Sequence, residues 1–273
     1  MISVNNLRKY SRYQATFAHF LFSLLIFTTL GYLVYFCWYP QPLFSVDAGW
    51  QGLRILAFVD FVLGPCLTLV IFNPKKKELF KDVAIIALIQ FSALSYGTYH
   101  VYQSRPAFVV YADNGFYTAA YSQLKHFPLS TKQLDEVQFF QPTFKIMDIP
   151  RKQFSLDYAI ETDNFVNYEK LQTIRALSLQ EKTPFYLLDG FLTSYETNKK
   201  IINQSSYNLD NLASNLTDKE QRILSTWKKE NPFYHDFSYT SLIGRFGTVI
   251  VQIDKETGNI VNFINISFHD GYL

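Results

Sequence analysis

Apolar residues are concentrated in three long stretches near the beginning of the chain. The first runs from Phe17 to Tyr39, the second from Leu53 to Phe72, and the third from Val83 to about Val101. A helix of about 20 apolar residues crosses the roughly 30 Å of hydrocarbon in a bilayer. The alternative is three buried helices of a soluble protein, but the stretches follow one another within a short part of the chain. We therefore predict three transmembrane helices.

The first stretch is not typical of a cleaved signal peptide. Its apolar run is longer than an ordinary signal-peptide core, and the residues from Phe36 to Pro40 include no small residue at which cleavage would occur. We expect this stretch to remain as a membrane anchor.

The positions of lysine and arginine predict the orientation in the membrane. Basic residues precede the first stretch and fill the loop between the second and third, whereas the loop from Pro40 to Gly52 has none. Positively charged loops stay in the cytoplasm. The prediction is a cytoplasmic N-terminus and a periplasmic C-terminal part in the bacterial inner membrane. The candidate membrane-boundary residues are Lys75, Lys76, Lys77 and Arg105, with an aromatic belt of Trp38, Tyr39, Trp50, Tyr99 and Tyr102 on the outer side.

After Pro106 the pattern changes to short apolar runs separated by turn residues. The predicted strands are Ala107–Tyr111 and Phe116–Tyr121 around a turn at Asp113–Gly115, Lys145–Ile149, Phe185–Leu188, and a hairpin of Gly247–Ile253 with Asn259–Ser267. The predicted helices are Asn164–Leu177 and one beginning at Thr217, which forms a capping box with Glu220 and carries Ile223, Leu224 and Trp227 on one face. The fold class is therefore a three-helix transmembrane N-terminal half, residues 1–106, plus an α+β extracytoplasmic domain, residues 107–273.

Charge and cysteine content narrow the classes of partner. Of the 25 basic and 23 acidic residues, nine and four lie before Ala107, so this half has net charge +5 and the remainder −3. The basic excess belongs to the membrane half and gives no reason to expect nucleic acid. Both cysteines, Cys37 and Cys66, lie in apolar stretches, so the C-terminal domain is not a disulfide scaffold.

No motif of an enzyme or metal site is present in the sequence. The five histidines are scattered without ligand spacing, and the adjacent pairs His235–Asp236 and His269–Asp270 are expected at the surface. The segment Gly244–Gly247 lacks the lysine of a phosphate-binding loop, and no serine lies in a nucleophile elbow. We predict no catalytic, cofactor-binding or metal-binding residue, and we expect that the protein is not an enzyme.

Asp60 is the most informative residue of the membrane half. It falls near the middle of the second stretch, where an ionised carboxylate is costly, so it should be protonated or paired and face other helices. Gly64 and Pro65 follow it, and Pro65 should kink the helix. Residues expected at similar depth are Thr28, Thr29, Tyr32, Gln90, Ser92 and Ser95. Three interpretations remain open: a packing contact, a docking point for another protein's helix, or part of a proton or ion path.

Several spaced motifs of the membrane half resemble a known family. They are the run Asp60–Thr68 (DFVLGPCLT), the run Asn73–Asp82 (NPKKKELFKD), the run Gln90–Gly97 (QFSALSYG) and the pair Arg105–Pro106. Together they resemble the TfpX/TfpZ type IV pilin accessory proteins, which are related to the FimB fimbrial assembly proteins. The C-terminal half is similar more weakly, through Thr183–Gly190 and the hairpin with Gly258. The resemblance implies a non-enzymatic inner-membrane protein that associates with a major pilin and supports pilus assembly, or the balance of extension and retraction.

The sequence thus predicts an accessory protein or chaperone that holds the apolar helix of a pilin in the membrane. Its partners would be a type IV major pilin and the lipid bilayer; the basic loop around Lys76 would contact anionic lipid headgroups or pilus assembly machinery. The rival hypotheses are a membrane-bound enzyme that modifies pilin, for example by glycosyl transfer, and a sensor that binds a small molecule. The candidate helix-docking residues are Asp60, Gly64, Pro65, Gln90, Ser92, Ala93, Ser95 and Gly97.

Overall fold

The structure is a computed structural model that describes residues 9–76, 78–112, 114–147, 169–170, 172–174, 176–178, 184–204, 209–212 and 216–266. Its helices and strands follow one another along the chain in a simple order. The N-terminal part contains α1 (Arg12–Tyr32), a π-helical end (Leu33–Trp38), α2 (Leu43–Val46), α3 (Gly49–Phe58), a π turn (Val59–Leu63), α4 (Gly64–Ile71) and α5 (Leu79–Gln103).

The C-terminal part consists of strands and short helices. Its first half contains β1 (Pro106–Ala112), β2 (Gly115–Ala120), α6 (Tyr121–Leu124), α7 (Thr131–Asp135) and β3 (Thr143–Met147). Three 3₁₀ turns (Phe185–Leu187, Asp189–Phe191 and Lys199–Gln204), β4 (Leu192–Ser194), α8 (Tyr195–Asn198) and α9 (Leu209–Leu212) follow. The last elements are α10 (Asp218–Glu230), a 3₁₀ turn (Tyr234–Asp236), β5 (Phe237–Ile243), β6 (Thr248–Asp254) and β7 (Ile260–Ile264).

Among the described residues, three helices are long and apolar enough to cross a membrane, as the sequence predicts. They comprise 27 residues from Arg12 to Trp38, 23 from Gly49 to Ile71 and 25 from Leu79 to Gln103. The first begins with a capping box. The backbone nitrogen of Gln14 donates to Ser11 Oγ, and the backbone nitrogen of Ser11 donates to Gln14 Oε1. We refer to these as the first, second and third spans.

The irregularity predicted at Pro65 takes the form of a π turn in the second span. Proline has no backbone N–H to give to the preceding turn, so the regular helical hydrogen bonding cannot continue through it. Residues Val59–Leu63 adopt a π conformation instead, and the Gly64 amide donates to the Val59 carbonyl five residues earlier. Asp60 lies within this turn.

The described residues of the C-terminal part form one seven-stranded mixed sheet, in the order β4-β3-β1-β2-β5-β6-β7. Neighbouring strands are antiparallel, except that β1 is parallel to β3 and β2 is parallel to β5. The predicted hairpins β1–β2 and β6–β7 are both confirmed. We call this part the sheet domain.

One face of the sheet domain is covered by the loop that joins the first two spans. Leu43 and Val46 are buried in the same core as Val109, Phe116 and Val251 of the sheet. The spans and the sheet are therefore held together by a shared apolar core as well as by the chain connection at Arg105.

Some sequence predictions differ from the structure. Phe185–Leu188 does not form a strand, because Phe185–Leu187 is a 3₁₀ turn and the strand that pairs with β3 follows at Leu192–Ser194. The helix α10 begins after the predicted cap at Thr217, but Ile223 is exposed while Leu224 is buried. Strand β5 was not predicted. The described residues from 169 to 178 are helical, and the rest of the predicted helix 164–177 lies outside the described residues, as do Asp113, Asp148, Ile149 and Ser267.

Candidate functional site

Asp60 lies inside the three-helix bundle and is fully buried. The Gln90 amide lies beside its carboxyl group, but neither carboxyl oxygen has hydrogen-bond geometry with a partner among the described residues. A buried carboxyl group is costly in hydrocarbon, and the neighbouring Gln90 amide lowers that cost.

Four further polar side chains extend this buried cluster across all three spans. Gln90 Nε2 on the third span donates to Ser23 Oγ on the first at 3.2 Å. His19 Nδ1 lies 2.5 Å from Thr68 Oγ1 of the second span. Thr68 Oγ1 also reaches the Gly64 carbonyl oxygen at 3.2 Å. The polar cluster of His19, Ser23, Asp60, Thr68 and Gln90 therefore connects the helices, as interhelical hydrogen bonds do in other membrane bundles.

The first-span residues that were expected at the depth of Asp60 do not join this polar cluster. Thr28 and Thr29 donate to carbonyl groups four residues earlier in their own helix, at 2.7 and 3.0 Å, and Tyr32 is exposed. Ser23 and His19, which the sequence reasoning missed, take their place on the first span. Their spacing of four residues puts them on one helical face, and this was the signal available in the sequence.

The eight candidate helix-docking residues divide into an inner and an outer group. Asp60, Gly64, Pro65, Gln90 and Gly97 are buried, Ala93 is half-buried, and Ser92 and Ser95 are exposed. At Gly64 the fit is closest, since a Cβ atom there would overlap the Gln90 amide. The inner group thus packs the bundle, and Ser92 and Ser95 are the members that another helix can reach. Whether any of the eight docks a helix stays a prediction.

Apolar and aromatic side chains surround the two exposed serines on the third span. These neighbours are Leu88, Phe91, Tyr96 and Tyr99, all exposed. We call the surface of Leu88, Phe91, Ser92, Ser95, Tyr96 and Tyr99 the third-span face. It is the surface on which small residues would let a second helix approach closely.

The candidate membrane-boundary residues lie at the two ends of the bundle. Lys75 and Lys76 are exposed in the loop before the third span, and Lys77 lies outside the described residues. Arg105 follows the third span but is buried, with its guanidinium 4.2 Å from the Tyr102 ring and 4.4 Å from the Tyr121 ring. Burial lowers the pKa of Arg105, and Tyr102 and Tyr121 oppose that shift. Protein rather than lipid headgroups therefore surrounds this arginine.

The predicted aromatic belt is only partly at the surface. Trp50 and Tyr99 are exposed, whereas Trp38 and Tyr39 are buried. Tyr39 Oη donates to the Val101 carbonyl oxygen at 3.0 Å, and burial raises the pKa of this tyrosine. These two residues pack the end of the bundle against the sheet domain.

Among the residues that the structure describes, no group of three or more His, Cys, Asp or Glu side chains is placed to hold a metal ion. His235 and Asp236 are exposed, as expected, and His269 and Asp270 lie outside the described residues.

Comparison with known proteins identifies the membrane half. A family model described as "Fimbrial assembly protein FimB" matches residues 7–46. A fimbrial assembly protein of serogroups C1 and C2 from Dichelobacter nodosus is 38% identical over 95 residues, which make up 34% of this chain and 72% of that protein. The chain belongs to the FimB fimbrial assembly protein family. The resemblance read from the motifs of the membrane half is confirmed at this level.

Two longer relatives in the FimB family show how far the similarity extends. The Dichelobacter nodosus fimbrial assembly proteins of serogroups E1 and I are 37% and 38% identical to this chain over 95 residues. The match covers 34% of this chain and only 37% of each of these relatives. No solved structure matches the chain significantly. The family is therefore recognised through the N-terminal third, which contains the first span and the loop packed against the sheet.

Proposed function

We propose that this FimB-family protein is a non-enzymatic accessory protein, or chaperone, that binds a type IV pilin subunit in the bacterial inner membrane. The observation that carries the proposal is the family itself, since the similar proteins are named as fimbrial assembly proteins. The similarity lies in the N-terminal third. A role in pilus assembly follows from the family, and the contact with pilin is the finer part of the proposal.

The third-span face is the surface that we propose for the pilin helix. In lipid, an apolar helix gains little by leaving one apolar environment for another, so recognition depends on close packing and polar contacts. Ser92 and Ser95 supply short side chains with hydroxyl groups on an exposed surface, and Tyr96 and Tyr99 flank them. The buried residues Asp60, Gly64 and Gln90 would act from within, by fixing the position of the third span.

In the proposed orientation the N-terminus is cytoplasmic and the sheet domain is periplasmic. Its support is the placement of positive charge: Lys75 and Lys76 are exposed between the second and third spans, at the end of the bundle away from the sheet domain. The sheet domain would then lie on the side where the globular head of a membrane-anchored pilin emerges. It supports assembly, or the balance of extension and retraction, by holding the subunit there.

The test replaces both exposed serines in the full-length protein in its native host. The variant Ser92→Leu/Ser95→Leu keeps the span apolar, so insertion and abundance should match wild type. A photoreactive phenylalanine that replaces Tyr96 should crosslink to pilin when both serines are present. We expect the double-serine variant to lose this crosslink and to form fewer surface pili. The matched control is Ala18→Leu, a small-to-large change at an exposed position of the first span.

Two outcomes would reject parts of the proposal. Full crosslinking and normal piliation of the double-serine variant would reject the third-span face as the docking surface. Normal piliation of Asp60→Leu at normal abundance would reject any requirement for the buried carboxyl group.

A further inference from the structure

Two neighbouring phenylalanines of the sheet domain lie at the height where the first and third spans end. The Phe139 ring is 5.2 Å from the ring of Tyr102, the penultimate residue of the third span, and 6.2 Å from that of Trp38, the last residue of the first. The Phe140 ring is 4.8 Å from the Phe139 ring. These distances place the segment beside the ends of the first and third spans.

Backbone contacts hold this segment in place. Arg105, two residues after the end of the third span, donates from Nη2 to the Gln138 carbonyl oxygen at 3.1 Å and from Nε to the Phe139 carbonyl oxygen at 3.5 Å. Because Arg105 is itself buried between two tyrosine rings, the segment is attached to the end of a membrane helix by a fixed group.

Both phenylalanine residues nevertheless leave about half of their surface uncovered by protein. Phe139 is 51% exposed and Phe140 is 57% exposed. Single exposed apolar residues are common, but two adjacent phenylalanines at this height are placed where the bilayer begins. Aromatic and large apolar side chains are favoured at the interface between headgroups and acyl chains.

A second turn of the sheet domain has the same relationship to the spans. Phe246, in the turn between β5 and β6, is 58% exposed, and its amide donates to the Val46 carbonyl oxygen at 2.8 Å. The preceding residue, Arg245, donates from Nη2 to the carbonyl oxygen of Ser104, directly after the third span. The sheet domain therefore approaches the ends of the spans at two separate turns, each with an exposed phenylalanine.

We propose that Phe139, Phe140 and Phe246 insert into the lipid interface of the leaflet beside the sheet domain. Lipid is the favoured occupant, because the ring distances place Phe139 and Phe140 level with residues that end two spans. The hydrogen bond from Arg245 to Ser104 places Phe246 beside the end of the third span. Insertion at two turns fixes the tilt of the sheet domain on the bilayer. This surface is independent of the proposed pilin contact and would remain if that proposal failed.

The test measures lipid contact directly in the full-length protein. Phe140→Cys is made with Cys37 and Cys66 replaced by alanine, labelled with a nitroxide and reconstituted into phosphatidylethanolamine–phosphatidylglycerol vesicles. We expect the label to collide several-fold more with oxygen, which dissolves in lipid, than with a water-soluble nickel chelate. The control is Phe233→Cys: Phe233 is 74% exposed and lies four residues before Phe237, where β5 begins. That end of the strand is about 20 Å from Ile243, beside the turn that contains Phe246. Its label should prefer the nickel chelate.

Two results would overturn the proposal. The first is a Phe140 label with the same preference for the nickel chelate as the Phe233 label. The second is a label protected from both reagents, which would mean that protein and not lipid covers the segment.

A second measurement avoids the cysteine replacements. Phe140→Trp in the otherwise unchanged chain should show added tryptophan fluorescence that brominated lipids quench, relative to the parent protein. Phe233→Trp should add fluorescence that these lipids leave unquenched. Equal quenching of the two added signals would again overturn the proposal.

Discussion

Asp47 and Arg245 are 198 positions apart in the chain and form an ion pair, with Asp47 Oδ1 2.5 Å from Arg245 Nε. The Asp47 carboxylate is completely buried, and Arg245 Nη2 also donates to the Asp47 and Ser104 carbonyl oxygens. One guanidinium group therefore joins the loop between the first two spans, the end of the third span and the turn between β5 and β6.

Removal of this arginine should destabilise the whole protein. Arg245→Ala leaves the Asp47 carboxylate buried without its partner. Loss of one member of a fully buried pair costs about 3–5 kcal/mol, and because the Arg245 side chain is 27% exposed, we expect a loss at or below the lower end of that range. We expect a clearly lower unfolding temperature in detergent. Asp47→Ala/Arg245→Ala should be less damaging than Arg245→Ala, because no unpaired charge remains. The exposed Arg222→Ala serves as the control, and equal unfolding temperatures for Arg222→Ala and Arg245→Ala would contradict the prediction.

The turn beside this ion pair also requires a glycine. A Cβ atom at Gly244 would overlap the Val46 carbonyl oxygen, which accepts the Phe246 amide hydrogen bond. Gly244→Ala must shift this backbone contact, and we expect a loss of about 1–3 kcal/mol. Gly190→Ala is the matched control, because no atom lies within 4 Å of a Cβ built there. The measurement is thermal unfolding of both variants, and a Gly244→Ala protein as stable as Gly190→Ala would show that the contact is not tight.

A similar pair of glycines tests the packing of the bundle. Gly64→Ala would press against the Gln90 amide, whereas a Cβ at Gly97 meets Leu56 Cδ2 at an ordinary 3.5 Å. We expect Gly64→Ala to lose about 1–3 kcal/mol in detergent and Gly97→Ala to change little. Gln90→Ala alone loses the hydrogen bond to Ser23, so Gly64→Ala is also made in the Gln90→Ala background, where it should cost less than in wild type. If Gly64→Ala cost the same in both backgrounds, the overlap with Gln90 would not be the cause of its loss.

The membrane half could be predicted from sequence because its main requirement is apolar length. Lipid demands about 20 apolar residues per helix whatever the helices pack against, and three such stretches are plain in the chain. Apolar length does not determine which face of each helix points toward the other two. The sequence reasoning therefore chose Thr28 and Thr29 as neighbours of Asp60 by depth, while in the structure Ser23 faces Gln90 and both threonines bond to their own helix.

The sheet domain was predictable only where contacts are local. The hairpins β1–β2 and β6–β7 carry turn residues between their strands, so sequence reveals them. Strand β5 lies near the centre of the sheet and pairs Ser241 with Gly115, a contact that no local signal reports. Its buried polar residues Ser238, Thr240 and Ser241 also hide the alternation expected of a strand. The short apolar run at Phe185 was wrongly predicted as a strand because a run of this length forms either a strand or a helical turn.

A carboxylate in the turn between β6 and β7 should make the stability of the folded protein depend on pH. Asp254 Oδ1 accepts hydrogen bonds from the Thr257 amide and hydroxyl groups, both at 2.7 Å, and from the Glu256 amide at 3.0 Å. These bonds, those of Thr257 first, lower the pKa of Asp254 in the folded protein. A lowered pKa stabilises the folded state above the pKa of the unfolded chain, about 3.9, and this contribution disappears as the pH falls through the folded value.

Asp254→Asn should therefore lower the stability of the protein at neutral pH and have little effect on it in strong acid. Asparagine keeps an oxygen acceptor but removes the negative charge that strengthens the three hydrogen bonds. We expect the variant to unfold at a lower temperature than wild type at pH 7, with the difference narrowing below about pH 4 as the wild-type carboxylate is protonated. Thermal unfolding in detergent across this pH range measures the difference. The exposed Asp236→Asn controls for loss of a surface charge, and a wild-type advantage over Asp254→Asn that stayed constant from pH 7 to acid would rule out this role for the Asp254 charge.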